Sequence, residues 1–353
     1  MRPAASTARS ERFLKACRRE AVDCTPIWIM RQAGRYLEEY RELRRKHGML
    51  YLARTPDLAA RITLMPLEKF ELDAAILFAD ILLPACGLGV PFRIEENLGP
   101  IIEEPIRTES QILTLQVFEP RRDVPYVLET ITRVRGELDG RVPLIGFSGA
   151  PFTLASYLIE GRSSRQFRYT KTMMHGRSDL WELLMRRLTD TVISYLRAQV
   201  EAGAQALQVF DSWAGYLSPD DYARYVQPHS HRVFRELSDL GVPLIHFGTE
   251  TATLLEAMAD AGGDVIGIDW RIPLDAAWKR VGYRRGIQGN LDPTVLFADF
   301  EIVRREAQSV LSRAEGRPGH IFNLGHGIHP QTPVDTVRHL VDFVHEASAR
   351  GTS

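Results

Sequence analysis

Eight short, almost wholly apolar runs punctuate the chain, and longer amphipathic stretches separate most of them. The runs fall at 26–30, 74–80, 144–148, 206–211, 244–248, 265–269, 286–288 and 321–324. A strand that is apolar on both faces must be covered on both faces, as in a parallel sheet jacketed by helices. Eight such units in alternation predict an α/β fold with a single (β/α)8 barrel of the TIM type. A doubly wound sheet is the competing architecture. It calls for a glycine-rich dinucleotide turn after the first strand, whereas the first run here leads into Arg-Gln-Ala-Gly-Arg.

Helix starts carry their own chemistry. Thr55, Ser218, Asp292 and Thr332 each precede a proline, the pattern of a capping side chain before the first helical position. In the last helix Val334, Val337, Leu340, Val341 and Val344 recur at helical spacing and predict its buried face. The stretch 90–125 fits the alternation poorly and reads as an inserted β-hairpin or long loop after the second strand. With 353 residues, 44% of them hydrophobic, and no low-complexity linker, the chain is expected to fold as one domain over 13–347. Residues 1–12, rich in Arg and Ser with Glu11 as the sole acid, read as a loose N-terminus, and 348–353 as a flexible tail.

A formal net charge of −1 gives no ground for nucleic acid or a membrane as a partner, so any affinity for an acidic ligand must come from local clustering. No apolar run reaches the length of a membrane span. The three cysteines, Cys17, Cys24 and Cys86, are odd in number and lack C-x-x-C spacing, which suits a reducing cytoplasm.

Barrel strands converge at their C-terminal ends on one mouth, and polar residues stand where these runs end. The first run delivers Arg31 and Arg35 across a turn containing Gln32, Ala33 and Gly34. Two planar guanidiniums so spaced suit a ligand with several carboxylates; read alone, they are equally a pair of surface charges. The second run ends on Asp80, which could also cap the next helix. Phe147 and Ser148 close the third run, with Tyr157, a possible core aromatic, on the following helix. The fourth ends on Asp211 and Ser212, the fifth near His246, the sixth at Asp269; both aspartates read as structural acceptors. His326 follows the eighth between two glycines and could be a plain turn residue. Shared location is what makes the set a candidate site. Arg162, Arg165, Arg168 and Lys171, after the third unit, could add positive potential as a lid.

The histidines lack zinc-ligand spacing, and no phosphate cradle, flavin or nicotinamide fingerprint is present, so no metal or cofactor is expected. A triad of Ser148, His246 and Asp80 lacks a nucleophile elbow to support it.

Two motifs identify a relationship: Pro-Ile-Trp-Ile-Met-Arg-Gln-Ala-Gly-Arg-Tyr at 26–36 and Gly-Phe-Ser-Gly-Ala-Pro-Phe-Thr-Leu-Ala-Ser-Tyr at 146–157. Phe-Ala-Asp-Ile-Leu at 78–82 and Asn-Leu-Gly-His-Gly-Ile at 323–328 agree with them. Over nearly its whole length the chain resembles the uroporphyrinogen decarboxylase family. The resemblance implies a homodimer of (β/α)8 barrels that uses neither metal nor cofactor. It implies conversion of uroporphyrinogen III to coproporphyrinogen III by loss of four acetate carboxyls, in haem and tetrapyrrole synthesis. It also implies substrate contacts from Arg31, Gln32, Ala33, Gly34, Arg35, Asp80, Tyr157, Ser212 and His326. Asp80 would stabilise the transition state, with Arg31, Tyr157 and His326 as further catalytic residues. Asp211 and Phe152 replace a glutamate and a tryptophan of some relatives.

The residue chemistry suits that substrate. Guanidiniums match carboxylates around a macrocycle's rim, and one central carboxylate matches pyrrole N–H donors. The proton donor stays open among Arg31, His326, Tyr157 and water. Two other readings are a zinc- and cobalamin-linked methyltransferase built on a similar barrel and a tetrapyrrole-binding protein without turnover.

Overall fold

The computed structural model describes residues 4–95 and 98–350. Among these, seven strands form one all-parallel sheet: β1 Ala75–Ile76, β4 Leu144–Gly149, β5 Ala206–Asp211, β6 Leu244–Gly248, β7 Val265–Gly267, β8 Gly286–Gln288 and β9 His320–Ile321, hydrogen-bonded in that order. A separate pair, β2 Arg93–Glu95 and β3 Gly99–Ile101, is antiparallel and lies in the stretch that broke the alternation. The strands of the main sheet are buried almost throughout, as their unbroken apolar sequences require.

The sheet is curled, and two buried glutamines show it. Gln288 on β8 donates to Gln208 on β5 at 3.0 Å, although two strands lie between them in the sheet. Neighbouring strands run about 4.8 Å apart, so in a flat sheet those positions would stand roughly 14 Å apart. Trp28 Nε1 reaches the same Gln288 at 3.0 Å. Residues 26–30, expected as a full strand, form only an isolated parallel bridge, Ile27 to Phe322. Phe322 N donates to Pro26 O at 2.8 Å and Asp73 N to Ile27 O at 2.9 Å, so this segment touches both outer strands' neighbours. The expected strand at 321–324 is likewise shortened, with β9 starting one residue earlier.

Two of the four predicted caps form. Ser218 Oγ accepts from Asp221 N at 3.1 Å, and Asp292 Oδ1 from Thr294 N at 2.8 Å. The Thr55 hydroxyl instead donates back to Tyr51 O at 2.8 Å, and Thr332 is buried with its hydroxyl unpaired. The last helix, Val334–Ser348, buries Val337, Leu340, Val341 and Val344.

The N-terminus corrects the expectation of a loose segment up to residue 12. A helix runs from Ala4 to Cys17, because Phe13, Ala16 and Cys17 bury themselves and the arginines find partners. Arg12 bonds Asp73 at 2.6 Å and Asp23 at 2.5 Å, and Arg9 reaches Leu72 O at 2.9 Å. Of the expected tail, Ser348 closes the last helix and 349–350 follow it, while residues 1–3 and 351–353 lie outside the described residues.

Asp73 is the knot of this corner. Fully buried, it accepts from Arg12, from Ile27 N at 2.8 Å and from His345 Nε2 at 2.7 Å, joining both terminal helices to the segment that leads into Arg31. Removing one partner of a buried charged network strands the other. Asp73→Ala is expected to cost about 3–5 kcal/mol in a chemical denaturation experiment, since it takes one of two carboxylates from Arg12 and the acceptor from buried Ile27 N and from His345.

Candidate active site

The turn after residue 30 is the most constrained part of the mouth. Arg31 has φ of 63°, a left-handed conformation that costs a non-glycine residue on the order of 1–3 kcal/mol and persists only where its surroundings impose it. The surroundings are plain. Gln32 N bonds Ile29 O at 2.8 Å, Met30 N bonds Asn323 Oδ1 at 3.0 Å, and Ile328 N bonds Met30 O at 3.0 Å. A Cβ on Gly34 would stand 2.6 Å from Arg31 O, so only glycine closes this turn.

The resemblance puts Gln32 among the residues of the substrate-binding loop. Its side chain is fully buried and turned into the fold, with Oε1 accepting from Ile29 N at 3.1 Å and Nε2 donating to Ala74 O at 3.1 Å. Its amide is spent on holding the loop, and any contact it makes with a ligand must be indirect.

Arg31 and Arg35 are both exposed, and among the described residues neither guanidinium has a hydrogen-bonding or carboxylate partner. Most other arginines of this chain pair with acids, including Arg41 with Glu38 and Arg280 with Glu256. Two unpaired cations beside a left-handed turn are poised for an anion from outside.

Asp80 is half-buried four residues beyond β1. Its Oδ1 accepts from Leu82 N at 2.8 Å, fixing the carboxylate by an Asx turn. Burial pushes its carboxyl above the ordinary aspartate range, against the opposing pull of that backbone N–H and of Arg31. Tyr157, on the helix Pro151–Glu160, has its phenol pushed up to about 12 by burial and then by Asp80, while Arg31 and Trp213 pull the other way. His326 is driven down to about 4, chiefly by burial and next by Arg31. It is therefore neutral at physiological pH. Arg31 thus acts electrostatically on Asp80, Tyr157 and His326 alike, and these four form one constellation.

The remaining predicted residues are placed as follows. Ala33 is half-buried in the arginine turn. Ser212 is half-buried just past β5; its carbonyl accepts from Thr249 Oγ1 at 2.6 Å, and its hydroxyl makes no hydrogen bond among the described residues. Ser148 is fully buried and bonds Gly149 O at 3.0 Å, and His246 packs against Phe234 of the helix layer, so neither serves the mouth. Asp269 is satisfied by Glu250 N and by Arg271. Lys171 is committed to Tyr216 O at 2.6 Å, whereas Arg162 and Arg165 stay exposed without such a partner among the described residues.

One wall of the site was not foreseen. Trp213 meets Tyr157 edge-on with ring centroids 5.7 Å apart, and buried Phe167 packs on Trp213 at 5.3 Å. Phe167 itself has φ of 50°, unusual for a bulky residue. The available signal was a tryptophan directly after the strand-ending Asp211-Ser212 pair.

A cavity of about 580 Å³ lies elsewhere, beside β2 and β3 among Val90, Phe92, Arg93, Ile101 and Gln111. Unspent charge, not volume, marks the mouth. Among the described residues no group of three or more His, Cys, Asp or Glu is arranged to hold a metal ion, and no helix is long and apolar enough to cross a membrane.

Unpaired arginines stand with a raised carboxyl near where the parallel strands of this α/β protein end, an arrangement suited to a small molecule with several anionic groups. Comparison with known proteins narrows this. The model of the family described as uroporphyrinogen decarboxylase (URO-D) matches residues 8–347. Uroporphyrinogen decarboxylase of Carboxydothermus hydrogenoformans is 54% identical over 340 residues, spanning 96% of this chain and 97% of that protein. Its counterpart from Sorangium cellulosum is 57% identical over 335 residues, 95% and 96% of the two chains. The chain belongs to the uroporphyrinogen decarboxylase family. Among solved structures a methyltransferase from Methanosarcina mazei superposes with a TM-score of 0.79 at 22% identity, covering 96% of this chain and 98% of that one; the likeness is one of fold.

Proposed function

We propose that this chain removes the four acetate carboxyls of uroporphyrinogen III as carbon dioxide and releases coproporphyrinogen III. The observation that carries this reading is the pair of unpartnered guanidiniums, Arg31 and Arg35, with Arg31 acting on the raised carboxyl of Asp80. The arginines bind carboxylates on the rim of the macrocycle, and Ala33 and Gly34 keep their turn tight. Asp80 accepts hydrogen bonds from the pyrrole N–H groups, which offset the cost of a carboxylate beside other carboxylates. Tyr157, Ser212 and His326 complete the surround, with Tyr157 and neutral His326 placed to orient the reacting arm.

Loss of carbon dioxide leaves an electron pair on the acetate methylene. Protonation of the pyrrole carbon first makes the ring its own sink, so the chemistry calls for no metal or cofactor. The electron pair left by the departing carboxyl enters the ring, a second proton on the exocyclic carbon completes the methyl group, and the ring carbon then gives up its own proton to restore the pyrrole. Asp80 stabilises the positive charge that develops on the ring, at a fixed place and with little water. A guanidinium is in general a poor acid, and Tyr157 at about 12 holds its proton firmly.

We read the curled sheet as a (β/α)8 barrel in which residues 26–30 supply the first stave between β9 and β1, with β2 and β3 as an insertion. The catalytic unit spans 13–347 and works as a homodimer in the cytoplasm, without nucleic acid or membrane. Incubating purified protein with uroporphyrinogen III under reducing conditions and counting carboxyls by chromatography tests the reading. Four carboxyls should be lost from each macrocycle; unchanged substrate would rule the decarboxylase out.

A further inference from the structure

Behind the mouth, between the sheet and its helices, lies a buried polar cluster that the reaction outlined above does not use. Asp211 ends β5 and is fully buried. His246 on β6 is equally buried; it faces the same way, because its strand partner Val209 stands two residues before Asp211. His246 Nε2 stands 3.9 Å from Asp211 Oδ2, beyond hydrogen-bond reach, while its Nδ1 lies 3.3 Å from Met258 O. Tyr222, from the helix Pro219–Tyr225, has its phenol pushed up by burial and by Asp211, with Ser230 of the next helix beside it.

Asp211 Oδ2, His246 Nε2, Tyr222 Oη and Ser230 Oγ all lack a partner within ordinary hydrogen-bond geometry. Leaving four such groups loosely paired in a core is costly, at about 1–3 kcal/mol for each unsatisfied one. Hydrophobic replacements would be cheaper for the fold alone.

The other oxygen of Asp211 leads toward the site. Thr153 Oγ1 donates to Asp211 Oδ1 at 3.2 Å and accepts from Trp213 N at 3.4 Å. Thr153 and Tyr157 share the helix Pro151–Glu160 one turn apart, and Trp213 meets Tyr157 edge-on. One hydroxyl therefore joins the end of β5, the turn carrying Ser212 and Trp213, and the helix carrying Tyr157.

We propose that Asp211, held against His246, Tyr222 and Ser230, is a positioning residue that sets Trp213 and Tyr157 through Thr153. It touches no reacting atom, and its role rests on the decarboxylase reading. Thr153→Val keeps the side chain's shape and removes the link. It should lower kcat by roughly tenfold to a hundredfold, the scale of a small misplacement, with KM nearly unchanged. Thr153→Ser, which keeps the hydroxyl, should restore the rate. Combined with Tyr157→Phe, Thr153→Val should add little further loss, because both act on one group.

A readout independent of turnover separates this inference from the function itself. Fluorotryptophan labelling gives one signal for each of the five tryptophans, and Trp213→Phe assigns the relevant one. Thr153→Val and Asp211→Asn should each shift the Trp213 signal more than the other four. Active wild-type protein whose Thr153→Val variant keeps full kcat, or a Trp213 signal unmoved in both variants, would overturn the proposal. A lowered melting temperature with kcat intact would assign the cluster to stability alone.

Discussion

Asp80→Asn is expected to lower kcat by about 10²- to 10³-fold, the loss seen when one preorganised electrostatic contact to a transition state is removed, while the folded protein becomes no less stable at neutral pH. Both halves follow from the same environment. Burial raises the Asp80 carboxyl above its ordinary range, so the folded state prefers the protonated form. A raised carboxyl contributes stability that is fully present below the unfolded value and is lost as pH rises through the folded one. At neutral pH the ionised side chain is a cost to the fold, which the neutral amide removes. The amide oxygen can still accept from Leu82 N, as Oδ1 does now at 2.8 Å. It cannot supply the charge that faces a developing cation. Wild-type turnover should also fall as pH drops into the raised Asp80 range, a limb the variant's residual rate should lack. Paired thermal melts and kcat profiles check this; unchanged turnover in the variant would remove Asp80 from the mechanism.

The sequence exposed the mouth because strand ends are chemically marked. Arg31, Asp80, Tyr157 and His326 could be listed together from the ends of the runs and the helix after the third, and Arg31 acts electrostatically on the other three. Direction was harder to read. Gln32 and Arg31 are adjacent, yet one is buried in backbone hydrogen bonds and the other faces out, because Arg31 adopts a left-handed conformation that no residue pattern announces. His246 lies in the middle of β6 and on the outward face, and a run apolar on both sides carries no alternation from which to tell inside from outside. Trp213 escaped notice because a tryptophan reads as core until its neighbour Tyr157 is known to be functional. The N-terminal helix is hidden for a related reason: its arginines look like a solvated tail until Leu72 and Asp73, some sixty residues on, supply partners for Arg9 and Arg12.

Two substitutions that share no chemistry should produce one defect. Arg31→Ala is expected to weaken porphyrinogen binding by about tenfold to a hundredfold, the range of about 1.5–3 kcal/mol for a hydrogen bond to a charged group. Gly327→Ala should do nearly the same with the arginine still present. A Cβ on Gly327 would lie 2.4 Å from Arg31 Cδ, 2.8 Å from Cγ and 2.9 Å from Nε, well inside contact distance. The arginine side chain is long and unpaired within the fold, so it can swing aside at little cost to stability; what it loses is its aim. The double variant should then bind about as weakly as either single one, since the second change removes what the first has already displaced. Binding by both should also depend less on salt than in the wild type, because one ion pair to the ligand has gone. Titration at two ionic strengths, alongside melting curves, gives the comparison. Additive losses, or a Gly327→Ala protein with wild-type affinity and salt response, would mean that the guanidinium of Arg31 does not meet the ligand along the path that Gly327 keeps clear.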